Sequence, residues 1–194
     1  IFDGTDAVML SAETASGKYP REAVTIMARI ILEAESHMND ALPRRRQKDK
    51  LSISETICES VAHAAQDLDM RAIAVFTETG TTARLISKYR PHAVIYAFSA
   101  VAEVRNRMNL LWGVEPLPCK HAPTADDMVR AAETTLLENK VVEPGDVIAV
   151  VAGTSQSSGS TNFLRLHRIG ADSVPSRRQP ERRRQPRHKP SDRR

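Results

Sequence analysis

The chain has 194 residues, 41 % of them apolar and only 4 % aromatic, with a formal net charge of +4. That suffices for one ordinary domain with a real core, packed by Ala, Val, Ile and Leu as in buried parallel strands. Two cysteines, Cys58 and Cys119, exclude a disulfide framework and a cysteine metal cluster, and no run of about eighteen apolar residues exists to span a membrane.

Both cysteines sit in apolar surroundings and are read as small buried hydrophobes in a reducing compartment. The charge is uneven. Residues Ser173 to Arg194 hold nine Lys/Arg against Glu181 and Asp192, a balance of +7, which leaves −3 for everything before them. Ile1 stands where Met would begin a chain, so the start is expected to lie further upstream.

Residues 1 to 38 open with the apolar run Ala7-Val8-Met9-Leu10, then a polar turn from Ser11 to Tyr19, then a helix from Pro20. Proline suits the first helical turn, and Ala23, Val24, Met27, Ile30 and Ile31 recur at helical spacing. This is one strand–loop–helix unit, and a single strand needs neighbours for its backbone groups. Residues 39 to 50, with Pro43, Arg44, Arg45, Arg46, Lys48 and Lys50, read as an exposed linker.

From Leu51 to Gly170 helices and strands alternate. Ser52-Ile53-Ser54-Glu55 is a capping-box signature ahead of a helix bearing Ile57, Val61, Ala64 and Ala65. Ala72 to Phe76 is a buried-type strand, followed by a hydroxyl-rich loop and a helix through Lys88. Strands are expected at Ala93 to Phe98, Gly113 to Leu117, Asp146 to Val151 and Phe163 to Ile169. Helices are expected at Val101 to Leu110 and, capped by Thr124, to about Asn139. The alternation predicts an α/β fold, a mostly parallel doubly wound sheet with helices on both faces. Residues 171 to 194 carry four prolines, many arginines and almost no apolar side chains, so they are expected to stay disordered.

The segment Asp3-Gly4-Thr5-Asp6-Ala7-Val8-Met9-Leu10-Ser11-Ala12-Glu13-Thr14-Ala15-Ser16-Gly17-Lys18-Tyr19-Pro20, with Glu22-Ala23-Val24, closely resembles the last barrel strand and following helix of pyruvate kinases. Ala12 departs from it, standing where many members have Gly. The loop Thr77-Glu78-Thr79-Gly80-Thr81-Thr82-Ala83, the run Lys88-Tyr89-Arg90-Pro91, Pro144-Gly145-Asp146 and Gly159-Ser160-Thr161-Asn162 are similar to that family's C-terminal domain. The resemblance covers about Ile1 to Gly170 and implies one βα unit of a TIM barrel ahead of the α/β domain.

It also implies a function. The family moves a phosphoryl group from phosphoenolpyruvate to ADP with Mg2+ and usually K+, at the mouth of an eight-stranded barrel. The metal carboxylates, the catalytic lysine and the phosphate-binding arginine would all lie upstream of Ile1, so the chain alone is expected to be inactive and to bind no metal. A cytoplasmic homotetramer is implied for the whole enzyme.

Ser11 is the catalytic candidate left, where the family's position is associated with a water chain that protonates the enolate; a hydroxyl can relay a proton without carrying charge. The other reading is that Ser11 caps the turn with Glu13 and Thr14. Glu13 reads as a hydrogen-bond partner of that turn and Lys18 as a solvated charge.

Two loops follow parallel strands, Thr77 to Thr82 and Gly153 to Thr161, and loops at strand C-termini converge on one crevice. Thr77, Thr79, Gly80, Thr81, Thr82, Gly153, Ser158 and Gly159 are the candidate phosphate-binding residues of an effector site. Backbone N–H groups and hydroxyls at a helix start suit a phosphate; the alternative is ordinary N-capping by Thr79, Thr81 or Thr82.

Neither loop contains Lys or Arg, which favours a sugar monophosphate or nucleotide monophosphate over fructose 1,6-bisphosphate, with Arg130 or Lys120 as possible cations. Trp112 reads as packing, His63 as a satisfied helix histidine, and His37, His92, His121 and His167 lack metal spacing. The arginine tail has no aromatics to stack on bases, so nucleic acid is not expected as a partner. The rival to an enzyme's C-terminal part is a stand-alone phosphometabolite-binding module, which would have no use for Asp3 to Ala23.

Overall fold

A computed structural model describes residues 2–37, 50–119, 122–153 and 161–170. The expected tail and nearly all of the expected linker lie outside these residues. A one-turn helix, α1 (Ala12–Ala15), and a long one, α2 (Pro20–Ser36), lead. The α/β body follows as α3 (Ile53–Asp67), β1 (Ala72–Phe76), α4 (Thr81–Ser87), β2 (Val94–Ser99), α5 (Ala102–Met108), β3 (Val114–Pro118), α6 (Ala125–Glu138), β4 (Val147–Ala152) and β5 (Phe163–Arg168).

The five strands form one sheet in the order β3-β2-β1-β4-β5. The β1–β2, β1–β4 and β2–β3 pairs are parallel; only β5 runs antiparallel, along β4, with Val147 opposite Arg168 and Ala152 opposite Phe163. The edges are suited to being edges. Pro116 and Pro118 lack ladder donors and lie on β3, and Arg165 and Arg168 put charge on β5.

Side chains alternate across the sheet at period two, and the core splits accordingly. Ile73, Val75, Ile95, Ala97, Ala149 and Val151 face α3, α4 and α5, where Cys58, Val61, Ala83, Ile86, Val104 and Met108 meet them. Ala72, Ala74, Phe76, Tyr96, Phe98, Ile148 and Val150 face α6, through Val129, Ala132 and Leu136. Phe76 and Phe98, opposite each other in register, stack at 4.8 Å between ring centroids. The chain steps from β1 to β2 to β3 in one direction and then crosses back to β4, and this reversal puts α6 on the opposite face from α4 and α5.

The helix starts follow the sequence. Ser52 and Glu55 form a complete capping box on α3, and Thr124 with Asp127 forms another on α6. Hydrogen bonds from Ser52 hold the Glu55 carboxyl below its ordinary value, and those from Thr124 and Arg130 do so for Asp127.

The expected strand from Ala7 to Leu10 does not form: among the described residues this stretch has no strand partner, and Met9 is 85 % exposed. The physical reason is the lack of a neighbouring strand to take its backbone donors and acceptors. The helix after it does form, with Pro20 in its first turn.

Candidate functional site

The strand order reverses between the neighbouring parallel strands β1 and β4, and the described chain leaves β1 at Thr77 and β4 at Gly153 on the same edge of the sheet. Thr77 N–H bonds to the Phe98 carbonyl at the end of the sheet, which fixes the first loop's departure. The Thr77 hydroxyl accepts from the Gly80 N–H at 2.9 Å, closing a tight turn. Gly80 has φ +85°, the left-handed region, and a Cβ there would sit 3.1 Å from Met108 Cγ. Both backbone shape and the approach of α5 therefore demand glycine at this position.

Gly80 is also the N-cap of α4, and no side chain caps that helix. The left-handed glycine takes the cap position itself, while Thr79 Oγ1 accepts from the Thr81 N–H at 3.5 Å, so of the three threonines Thr79 reaches a first-turn donor of α4. Thr79 and Thr81 are exposed, their hydroxyls 2.9 Å apart. Thr82 points inward instead. Its hydroxyl lies 2.7 Å from that of Thr161, and both residues are buried.

Thr161, the residue at which the second loop re-enters the described chain, is held on three sides. Its N–H donates to the Ser54 hydroxyl at 3.2 Å, and that hydroxyl donates to the Thr161 carbonyl at 3.3 Å. The two candidate loops are thus tied to each other and to the first turn of α3. Ser54 and Thr161 were visible in the sequence as hydroxyl-rich loop and cap residues, but nothing at sequence level signals this rivet, which joins positions 107 residues apart.

Gly153 is exposed at the end of β4. Ser158, Gly159 and Lys120 lie outside the described residues. Arg130 is engaged with Asp127 at 2.6 Å on α6. Among the described loop residues no cation is present, and Glu78 adds an exposed acid.

A family model described as pyruvate kinase, alpha/beta domain, matches residues 55–167, more than half of the chain. The chain belongs to this family. It is 41 % identical over 172 residues to a pyruvate kinase of Geobacillus stearothermophilus, covering 87 % of this chain and 29 % of that protein. A pyruvate kinase of Staphylococcus aureus (strain USA300) is 41 % identical over 173 residues, covering 88 % and 30 %. A crystal structure of a pyruvate kinase from Cryptosporidium parvum superposes with a TM-score of 0.73 at 31 % identity, covering 86 % of this chain and 34 % of that one. The chain therefore spans about a third or less of the pyruvate kinases it matches.

Within the pyruvate kinase resemblance, Ser11 is exposed at the N-cap of α1 and its hydroxyl makes no capping bond. The turn is held by backbone: the Thr14 and Ala15 N–H groups donate to the Ser11 carbonyl, and Ser11 N–H donates to Glu13 Oε2 at 3.0 Å. Backbone N–H groups of Glu13 itself and of Ser11 keep the Glu13 carboxyl below its ordinary value. Glu13 thus serves the turn, as the sequence indicates. A Cβ on Gly17 would stand 2.3 Å from the Glu13 carbonyl oxygen, so the turn closes only around glycine.

Among the described residues no group of three His, Cys, Asp or Glu side chains could hold a metal ion. No described helix is long and apolar enough to cross a membrane. Burial, with the nearby Glu55 charge, pushes the Cys58 thiol up to about 12, so it is an inert core group. His63 Nδ1 lies 2.8 Å from the Glu59 carbonyl on its own helix.

Two clusters escape sequence reasoning. His167, 4 % exposed, contacts Glu133 Oε2 at 2.9 Å, while Glu133 Oε1 accepts from Gly170 N–H at 2.6 Å. This pins β5 to α6. Trp112, expected only to pack, donates its Nε1–H to Glu35 Oε1 at 2.9 Å and lies under the Arg90 guanidinium.

Proposed function

We propose that this chain is the C-terminal part of a pyruvate kinase, which transfers a phosphoryl group from phosphoenolpyruvate to ADP in glycolysis, and that its own task is regulatory binding. Catalysis with Mg2+ and K+ is assigned to the whole enzyme, because this chain spans only 29–30 % of the pyruvate kinases it matches. Ser11 is the group this chain would lend to that site, as an uncharged proton relay. The whole enzyme is read as a cytoplasmic homotetramer, with this domain supplying subunit contacts.

The effector site is the crevice at the reversal of strand order. The observation that carries it is the Thr82–Thr161 hydroxyl contact at 2.7 Å, which brings the two hydroxyl-rich loops to one place. A phosphate there would meet the hydroxyls of Thr79 and Thr81 and the amides around Gly80, with Gly153, Ser158 and Gly159 on the opposite loop. Such a site holds no cation among its described residues and has the Glu78 carboxylate at its rim. It suits one phosphate better than two, since a second would call for a guanidinium or ammonium partner.

Calorimetric titration of the chain with AMP, a sugar monophosphate and fructose 1,6-bisphosphate tests this. Binding of a monophosphate that is lost in Thr81→Ala is the expected result. Tight bisphosphate binding without a monophosphate response overturns the ligand class; no binding of any of the three overturns the site.

A further inference from the structure

The N-terminal arm, residues 2–37, is held to the body without a core of its own. Neither α1 nor α2 contains a buried residue, and Val24, Ile26, Ile30 and Leu32 are each half exposed or more. Polar contacts join arm to body at two places. Arg90, three residues past the end of α4, places Nη2 2.6 Å from the Gly4 carbonyl and 2.9 Å from Asp6 Oδ1. The same guanidinium covers the Trp112 ring, 4.9 Å from its centroid. Trp112 in turn holds the far end of the arm through Glu35 on α2, and its own carbonyl accepts from the Ser87 hydroxyl on α4 at 2.7 Å. One Arg–Trp stack therefore grips the arm at two points, near its start and at the end of its long helix.

We propose that Arg90 and Trp112 form a releasable latch, which sets the position of the arm that carries Ser11 against the α/β body. Three features make it releasable rather than a fixed joint. Arg90 Nη1 is buried with no hydrogen-bond partner among the described residues, so closure leaves the two N–H groups of that nitrogen unsatisfied, and water would satisfy them on opening. Arg90 holds a left-handed backbone, φ +49°, which a non-glycine residue keeps only where its surroundings impose it. Asp6 is 44 % exposed on its side of the pair, within reach of salt. This inference is independent of the crevice and of its ligand.

The chain carries one tryptophan, and it sits in the latch, so its fluorescence reports closure directly. Hydrogen exchange reads the arm and the body separately. In Arg90→Ala the expected result is exchange in peptides of α2 faster by about tenfold or more, the scale set by a lost charge-assisted hydrogen bond. Peptides of β1, β2 and β4 keep wild-type protection, and Trp112 emission shifts to the red.

Asp6→Asn lies outside the body and is expected to give a smaller change of the same pattern. Raising salt to about 1 M, where screening reaches about 3 Å, should move the wild type toward that variant. Two outcomes overturn the latch. One is an α2 that exchanges equally fast with and without Arg90. The other is a loss of protection across arm and body together in both variants, which would make Arg90 a general structural residue.

Discussion

The arm and the body have similar apolar composition along their helices yet opposite fates. In α3, Cys58, Val61, Ala62 and Ala65 are buried, because a sheet lies beneath them. In α2, an equally periodic apolar stripe of Ala23, Val24, Met27, Ile30 and Ile31 buries nothing completely. The contrast shows that an amphipathic pattern specifies a helix and a face, while burial requires a partner surface. The pyruvate kinases matched by this chain are about three times as long, and in the proposed whole enzyme the stripe of α2 would be covered by the rest of the barrel.

The strongest way to break the comparison is to truncate one isoleucine in each region. Ile95→Ala in the fully buried core should lower unfolding free energy by about 2–5 kcal/mol. Ile30→Ala, at a residue 60 % exposed, should stay within about 0.5 kcal/mol. Urea titrations of both variants check this, and a comparable loss at Ile30 would mean that α2 is packed after all.

A second test concerns the rivet between the loops. Thr82→Val should cost about 1–3 kcal/mol, because it strands the Thr161 hydroxyl inside the body. Thr82→Val with Thr161→Val should cost less than the two single changes added together, since both hydroxyls leave at once. A double-mutant cycle by chemical denaturation measures the difference; strict additivity would show that the two hydroxyls do not act as a pair.

The smallest effect is expected in the acid limb of the stability profile. Burial alone would raise the Glu133 carboxyl, but the Gly170 N–H and the contact with His167 outweigh it, and the net direction is downward from 4.5. A carboxyl lowered in the folded state stabilises above its unfolded value and loses that contribution as pH falls through the folded one. Glu133→Gln should therefore be less stable than the parent near neutral pH, with the gap narrowing below about pH 4.5. Thermal melts across that range check it.

Much of the body was legible in the sequence because its signals are local. Ala72–Phe76 is a continuous β-rich apolar run, and Ser52 with Glu55 satisfies helix donors within one turn. Hydrogen bonds and side-chain periods of this reach are written in neighbouring residues, and so was the glycine at 80 that turns β1 into α4. The family resemblance was equally legible, since it rests on long gapless segments.

What tertiary structure decided are the contacts between distant residues. Ala7 to Leu10 has the composition of a strand, but strand pairing depends on a neighbour that local sequence cannot supply. Thr82 meets Thr161, His167 meets Glu133, and Arg90 meets Asp6 across gaps of 34 to 84 residues. Their partners are chosen by the order in which the strands lie in the sheet and by where the arm comes to rest. A threonine, a histidine or an arginine carries no mark of that choice in its own stretch of chain.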